Sequence, residues 1–167
     1  MLRIYQVDSD HDTAQVRQLF LEYLEWANSR IVEEFGFSFD IQSMVEGDML
    51  ELDKFLPPDG RLLLAEYEGR VTGLACMRRI RPDMGEIKRM YVRPEFRGMG
   101  IGRALLEALI AEAREIGYPR VRLDSTRFMK EAHRLYRSAG FEEIDPYTES
   151  EIPAEYQSHW VFMEMKL

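Results

Sequence analysis

Three alternate glycines stand where an extended segment gives way to an amphipathic helix. Gly98, Gly100 and Gly102 lie in YVRPEFRGMGIGRALLEALI, residues 91–110. Glycine lets the backbone approach a ligand closely because it has no Cβ. The first amides of a helix lack intrahelical partners, and the helix dipole adds about half a positive charge there. The segment therefore predicts an anion site suited to phosphate, flanked by the cationic side chains of Arg97 and Arg103.

The glycine spacing excludes three common phosphate loops. A Walker A loop needs Gly-Lys-Ser/Thr, but Gly102 is followed by Arg103 and Ala104. The dinucleotide fingerprint would need a glycine or alanine where Arg103 or Leu105 stands. A kinase glycine loop lies in a hairpin rather than before a helix. The pattern that remains is R-G-x-G-x-G, and its alternative interpretation is a glycine-rich turn that binds nothing.

The composition limits the class of protein. A chain of 167 residues, 46% of them hydrophobic, predicts a single domain over residues 1–167 with a real core. The net charge of -8 disfavours a nucleic-acid partner and mildly favours a cationic or neutral one. An acidic surface that keeps the protein soluble explains the same charge equally well.

Other features bear on location and cofactors. The sequence shows neither a signal peptide nor an apolar run of the roughly 20 residues that a membrane span needs, so we expect a cytoplasmic protein without a membrane partner. Cys76 is the only cysteine, which excludes an internal disulfide and a cysteine-based metal cluster within one chain. We expect no metal cofactor.

Hydrophobic periodicity predicts an α/β (α+β) fold with a mixed central sheet of about seven strands flanked by about four helices. Predicted strands cover residues 2–7, 61–67, 71–80, 86–92, 120–123, 141–144 and 160–167. Helices are predicted at about 13–28, 41–52 and 101–116, with a fourth that is capped by Ser125 or Thr126 and ends at Gly140. Residues 30–39 have no clean period and indicate a loop or a broken helix.

Two motifs together resemble a known family. RGMGIG follows the predicted strand EIKRMYV, and AHRLYRSAGF lies about 35 residues further on, in a helix that carries a tyrosine and is followed by Gly-Phe. Loop and helix resemble the two signatures of the GNAT superfamily of N-acetyltransferases. The resemblance spans essentially the whole chain; it is strongest over residues 86–141 and weakest over 30–58.

The resemblance implies acetyl-coenzyme A as cosubstrate. Its pyrophosphate would lie on the loop amides, and its pantetheine arm would run along the preceding strand like an added strand. The implied contact residues are Met90, Tyr91, Val92, Arg97, Gly98, Met99, Gly100, Ile101, Gly102, Arg103, Ala104, Thr126, Met129 and Tyr136. One position departs from the family pattern: Met129 stands where many members have an asparagine, so Thr126 or Ser125 replaces that contact or the contact is missing.

The resemblance implies catalytic roles for two residues. Tyr136 matches the family's general acid, which protonates the departing thiolate; the alternative is a core aromatic on the face of Ala132 and Leu135. Glu86 stands where some members keep a general base for the amine, acting directly or through water. The alternative for Glu86 is an ordinary exposed glutamate at a strand start.

The acceptor is a small-molecule or peptide amine by resemblance. Glu33, Glu34, Phe37 and Tyr147 are the candidate acceptor contacts; the alternative is that their segments are solvated loops with a few core anchors. We expect His133 to be solvated and His159 to be structural. Homodimers are common in the family, but no interface is legible in the sequence.

The leading hypothesis is direct acetyl transfer from acetyl-coenzyme A to a primary amine, without a covalent intermediate on Cys76. Two alternatives stay open. One is a regulatory or interaction module of the same fold that binds acyl-coenzyme A with little turnover. The other is a different reaction partner, either a longer acyl group accommodated near Met90 and Met129 or an acceptor that is not an amine.

Overall fold

A computed structural model describes all residues from Met1 to Leu167. The seven strands are β1 Leu2–Gln6, β2 Arg61–Tyr67, β3 Arg70–Arg81, β4 Met84–Val92, β5 Arg120–Thr126, β6 Glu142–Ile144 and β7 Trp160–Lys166. The four α-helices are α1 Asp10–Phe35, α2 Ile41–Leu50, α3 Ile101–Ile116 and α4 Lys130–Ala139. Short 3₁₀ helices cover Leu52–Phe55, Pro94–Phe96 and Ala154–His159. None of the helices combines the length and apolar character that a membrane crossing requires.

All seven strands form one mixed sheet in the order β1-β2-β3-β4-β5-β7-β6. β1 to β4 are antiparallel neighbours, β4 and β5 are parallel, and β5, β7 and β6 are again antiparallel. This arrangement confirms the predicted mixed sheet with flanking helices.

Helices cover both faces of the sheet. On one face α1 and α2 pack on β2 to β4 around Phe20, Leu64 and Leu74. On the other face α3 and α4 pack around Leu105, Leu109 and Met163. The strands are therefore buried on both sides, which explains why β2 and β3 contain almost continuous apolar runs.

The sheet opens between its two parallel strands. β4 and β5 pair only from Met84 opposite Arg120 to Ile87 opposite Leu123. A bulge follows in β4, where Arg89 has a left-handed backbone with φ of 53°. β4 then continues to Val92 without a partner on its β5 side. The opening leaves a free strand edge at the centre of the molecule.

The first helix is longer than its period predicts. Residues 30–35, expected to be a loop or a broken helix, continue α1 to Phe35, and Ile31 is buried. The helix ends at Gly36, whose backbone is left-handed and whose amide donates to the carbonyls of Ile31 and Val32. The extension shows no clean hydrophobic period, because Glu33 and Glu34 are exposed and Phe37 and Phe39 lie beyond the end of the helix.

The predicted cap of α4 is wrong. Ser125 and Thr126 belong to β5, and α4 begins at Lys130 after Met129, with no side-chain capping bond. Ser125 instead hydrogen-bonds through its Oγ, 3.0 Å from Nε2 of His133. His133 is 2% exposed, so the expectation of a solvated histidine is also wrong. This hydrogen bond connects α4 to the end of β5.

His133 should make the protein less stable in mild acid. Burial, with help from Arg137 and Lys130, lowers the pKa of His133 to about 4, against about 6.5 in an unfolded chain. The stability that the neutral ring contributes is fully present above pH 6.5 and is lost as the pH falls towards 4. Between pH 7 and pH 5 we expect His133 to remove about 1–2 kcal/mol from the free energy of unfolding. Urea unfolding of wild type and His133→Gln at both pH values measures this. Equal pH dependence in the two proteins would contradict it.

Candidate active site

A groove of about 450 Å³ runs between α1, the free end of β4, the glycine loop and α4. We call it the loop groove. It collects most of the positions predicted to contact the cosubstrate: Met90, Tyr91, Val92, Arg97, Gly98, Gly100, Ile101, Gly102, Arg103, Met129 and Tyr136. Segments more than 30 residues apart in the chain therefore form one surface.

The glycine loop has the geometry of an anion cradle. Gly98 and Gly100 both have a φ of 81°, and a Cβ on either would meet no atom within 4 Å, so it would project into the open space of the loop. The amide of Ala104 donates to the Gly100 carbonyl at 3.0 Å as the first bond of α3. The amides of Ile101, Gly102 and Arg103 precede that bond and have no intrahelical acceptor. These groups fit a phosphate.

Two predicted loop contacts lie elsewhere. Met99 is 46% exposed and does not line the groove. Ala104 does not line it either, and its amide donates to the Gly100 carbonyl within the helix. The cradle is therefore shorter than the sequence implied. It is formed by residues 100–103 and the glycine at 98.

The loop groove is cationic although the chain is acidic. Arg30, Arg97, Arg103 and Lys130 line it, against the single carboxylate of Glu131. The Arg97 guanidinium lies 5.0 Å from the Trp26 ring centroid, and its Nε donates to the Val92 carbonyl at 2.9 Å. Such a stack orients the cation without neutralising it. The local charge therefore suits a polyanion.

Tyr136 reaches the floor of the loop groove from α4. It is 6% exposed, and burial raises the pKa of its hydroxyl above the ordinary value. The hydroxyl is therefore protonated at neutral pH and is available as a donor. The ring also packs 5.9 Å from Phe141, so Tyr136 combines the core position and the groove position that the sequence left as alternatives.

A second, mainly apolar cavity of about 300 Å³ lies between α1, α2, β5 and the segment before β7. We call it the apolar cavity. Its walls include Leu24, Ile31, Phe39, Met44 and Trp160. Thr126 lines this cavity rather than the loop groove, although the sequence analysis had placed it at the cosubstrate. Its Oγ1 is buried and has no hydrogen-bond partner.

A junction cavity of about 50 Å³ lies where the two spaces meet. Tyr136 and Met90 line it from the loop groove, and Arg89 and Asp124 line it from the apolar cavity. Tyr23 lines all three cavities. A hydroxyl donor and a carboxylate thus border the same small space, at the point where the sheet opens.

A buried ionic network forms the base of the apolar cavity. Arg89 donates to Asp48 at 2.8 Å and to Glu151 at 2.6 Å, and thereby connects α2 to the segment before β7. Lys88 lies 2.8 Å from Glu151 and 3.6 Å from Asp124. Burial would raise the pKa of Glu151, but Lys88 and Arg89 hold it well below its usual range. Breaking such a pair costs about 3–5 kcal/mol, so the network fixes the cavity wall.

Within this network, Asp124 has a pKa that is shifted in the opposite direction to that of Glu151. Burial raises the pKa of its carboxyl above the ordinary value, although the Lys88 ammonium acts in the opposite direction. Ser150 donates to one carboxylate oxygen at 3.0 Å. Asp124 is therefore the carboxylate of this site whose affinity for a proton is increased.

Glu86 does not reach any of the three cavities. It is completely buried; Arg78 donates to one carboxylate oxygen at 2.8 Å and Tyr147 donates to the other at 2.7 Å. Lys88 lies 4.0 Å away. Tyr136 lies at the junction cavity, whereas Glu86 is buried beneath it. Tyr147, predicted as an acceptor contact, donates a hydrogen bond to Glu86 and does not line the apolar cavity.

The other predicted acceptor contacts also lie outside the apolar cavity. Glu33 and Glu34 are exposed near the end of α1, where Glu34 pairs with Arg30. Phe37 stacks on Tyr156, with ring centroids 4.1 Å apart. The extension of α1 to Phe35 puts the two carboxylates on its outer side. Of the phenylalanines that follow α1, Phe39 lines the cavity and Phe37 does not.

Sequence reasoning missed Tyr23, Asp124 and Arg89. Asp124 had one signal, since an acid in the alternating strand RVRLDST is unusual on a buried sheet. Tyr23 shares the helical spacing of the core residues of α1, so the sequence shows no separate signal for its position at the cavities. Arg89 gave no signal, because its position depends on the bulge.

Comparison with known proteins shows the family of the chain. The model of the acetyltransferase (GNAT) family matches residues 15–141, and the chain belongs to this family. It is 33% identical over 156 residues to an uncharacterised N-acetyltransferase of Schizosaccharomyces pombe, covering 91% of this chain and 90% of the relative. It is also 33% identical to the uncharacterised N-acetyltransferase YjgM of Escherichia coli, covering 70% of this chain and 72% of YjgM.

A solved structure shows the same fold. The PaiA N-acetyltransferase of Thermoplasma acidophilum, in complex with coenzyme A, superimposes with a TM-score of 0.76 at 19% identity, covering 100% of this chain and 99% of that one. Together with the family match, this identifies the chain as an acyltransferase of the N-acetyltransferase type.

Proposed function

We propose that the protein transfers the acetyl group of acetyl-coenzyme A directly to a primary amine. The observation that carries the proposal is the junction cavity, which lies between the loop groove and the separate apolar cavity and is lined by both the hydroxyl residue Tyr136 and the carboxylate residue Asp124. Two substrates that enter from opposite sides would meet there. Orientation of bound reactants is a large part of catalysis in such two-substrate reactions.

The residues of the loop groove fit the cosubstrate. The amides of Ile101, Gly102 and Arg103 would hold the pyrophosphate, with Arg97 nearby for charge. The free edge of β4 from Met90 to Val92 offers main-chain groups for an extended arm. Acetyl-coenzyme A supplies the acetyl group as a thioester, which a neutral amine can attack.

Tyr136 is the proposed proton donor to the departing sulfur. Its raised pKa keeps the proton on the hydroxyl until a thiolate is present. Glu86 is proposed to act structurally, because both of its oxygens accept hydrogen bonds from Arg78 and Tyr147. By holding Arg78 and lying 4.0 Å from Lys88, it helps to position the ionic base of the apolar cavity.

Two alternatives from the sequence are less well supported. A binding module without turnover has no need of a donor and a carboxylate at the junction of two cavities. A longer acyl chain would require space at the junction, and that cavity holds only about 50 Å³. Acetyl is therefore the favoured group.

An assay of transfer tests the proposed function. The protein is incubated with acetyl-coenzyme A and, separately, 2-phenylethylamine, spermidine, phenylalanine, a peptide with a free N-terminus, or 2-phenylethanol. Acetylated product is detected by mass spectrometry and free coenzyme A by a thiol reagent. We expect enzyme-dependent acetylation of at least one amine and none of the alcohol. Tight binding of acetyl-coenzyme A with acetylation of no amine would support the binding module instead.

A further inference from the structure

The lining of the apolar cavity restricts the acceptor that can bind there. Ten of its 17 lining residues are hydrophobic, and the aromatic rings of Phe39 and Trp160 face aliphatic side chains of α1 and α2. Its volume of about 300 Å³ is at the lower end for small-molecule sites. Such a space favours a compact apolar body over an extended polar one.

The charges around the cavity exclude a carboxylate ligand and a polycation. Arg89 is the cation that lines the cavity, and its hydrogen bonds to Asp48 and Glu151 occupy its guanidinium. Lys88 is likewise held by Glu151. Lys54, Lys88 and Arg89 pair with Asp48, Asp124 and Glu151, so the charges of the network balance. Asp124 is the most weakly paired of the three carboxylates, because its nearest cation, Lys88, lies 3.6 Å away. One ammonium group on the ligand would give Asp124 a closer partner, whereas a second would find the other carboxylates already paired.

Two polar side chains of the cavity are placed to bind a cationic group of the ligand. Asp124 and Thr126 both line the cavity and lie two residues apart on β5, so their side chains are on the same face of the strand. Thr126 is 3% exposed, and its Oγ1 lacks any hydrogen-bond partner. A buried hydroxyl without a partner costs about 1–3 kcal/mol, so this atom indicates a ligand group that bonds to it.

We infer that the acceptor is a small apolar monoamine without a carboxylate, whose nitrogen is held between Asp124 and Thr126. This inference rests on the proposed transfer to an amine. The ammonium gives one proton to Asp124 and donates a second hydrogen to Thr126 Oγ1, so its lone pair becomes free. The C–N bond forms as the C–S bond breaks, and the electron pair leaves on sulfur. Tyr136 protonates the sulfur and regains a proton from the nitrogen, while Asp124 returns its proton to solvent.

A matched pair of amines tests the class of acceptor. Phenylalanine differs from 2-phenylethylamine only by its carboxylate, and spermidine supplies the polycation. After calorimetry has established binding of acetyl-coenzyme A, kcat/KM is measured for each amine. We expect 2-phenylethylamine to exceed both others by at least about tenfold, since an unpaired carboxylate or a second cation in the cavity costs more than one tenfold step. Faster transfer to phenylalanine or spermidine would overturn the inference and leave the proposed function standing. Transfer to the peptide but to none of these three amines would overturn the inference alone, and acetylation of no amine at all would overturn both.

Two variants test the residues. Asp124→Asn should lower kcat/KM for 2-phenylethylamine by about 100-fold, within the range of general base catalysis. Thr126→Val keeps the shape of the side chain and should lower it by about tenfold. The affinity for acetyl-coenzyme A, measured by calorimetry, should not change in either variant and reports that the fold is intact. Wild-type kcat/KM in both variants would overturn the assignment of the pair.

Discussion

Replacement of Gly100 by glutamate is expected to abolish binding of acetyl-coenzyme A. A Cβ at this position would meet no atom within 4 Å, so the side chain has room. Its carboxylate would lie next to the free amides of residues 101–103, where the pyrophosphate is proposed to bind. Like charges in such contact cost several kcal/mol, so the affinity should fall by at least about 100-fold. Isothermal titration of both proteins with acetyl-coenzyme A and with coenzyme A measures the loss.

Gly36→Glu provides the matched control for this variant. Gly36 has φ and ψ of 80° and 13°, against 81° and 6° at Gly100, and a Cβ at Gly36 also meets no atom within 4 Å. Both variants therefore carry the same left-handed backbone strain, about 1–2 kcal/mol. Gly36 does not line the loop groove. Wild-type affinity in Gly36→Glu with lost affinity in Gly100→Glu would support the cradle; equal affinity in both variants would contradict it.

The second large effect is expected for Tyr136→Phe. Without the hydroxyl the departing sulfur loses its proposed proton donor, and kcat for 2-phenylethylamine should fall by about 100-fold. The ring remains, so its contact with Phe141 and the affinity for acetyl-coenzyme A should be kept. Steady-state kinetics at saturating acetyl-coenzyme A, with calorimetry for the affinity, separates the two quantities.

Tyr23→Phe distinguishes Tyr136 from the other tyrosine at the junction. Tyr23 lines all three cavities, and burial raises the pKa of its hydroxyl as well. We expect less than about a tenfold loss of kcat in Tyr23→Phe, in keeping with the loss of one neutral hydrogen bond. A larger fall in Tyr23→Phe than in Tyr136→Phe would transfer the role of donor to Tyr23.

Local sequence determined the glycine loop at the start of α3. The proposed phosphate cradle consists of consecutive amides at the start of one helix, so glycine spacing and helix period predict it without reference to distant segments. The predicted strands and the predicted helix at residues 101–116 are also local properties, and the structure confirms them. Met99 and Ala104 lie outside the lining of the loop groove, which spacing alone does not predict.

Only the tertiary structure decided the role of each carboxylate. Glu86 and Asp124 are both acids on neighbouring strands. Glu86 accepts a hydrogen bond from Tyr147, 61 residues further along the chain, whereas Asp124 lines the junction cavity. The bulge at Arg89 and the opening between β4 and β5 depend on pairing between distant segments. A side chain's proton affinity follows from burial and from charges brought by other elements, so it is a property of the packed molecule and not of any single segment.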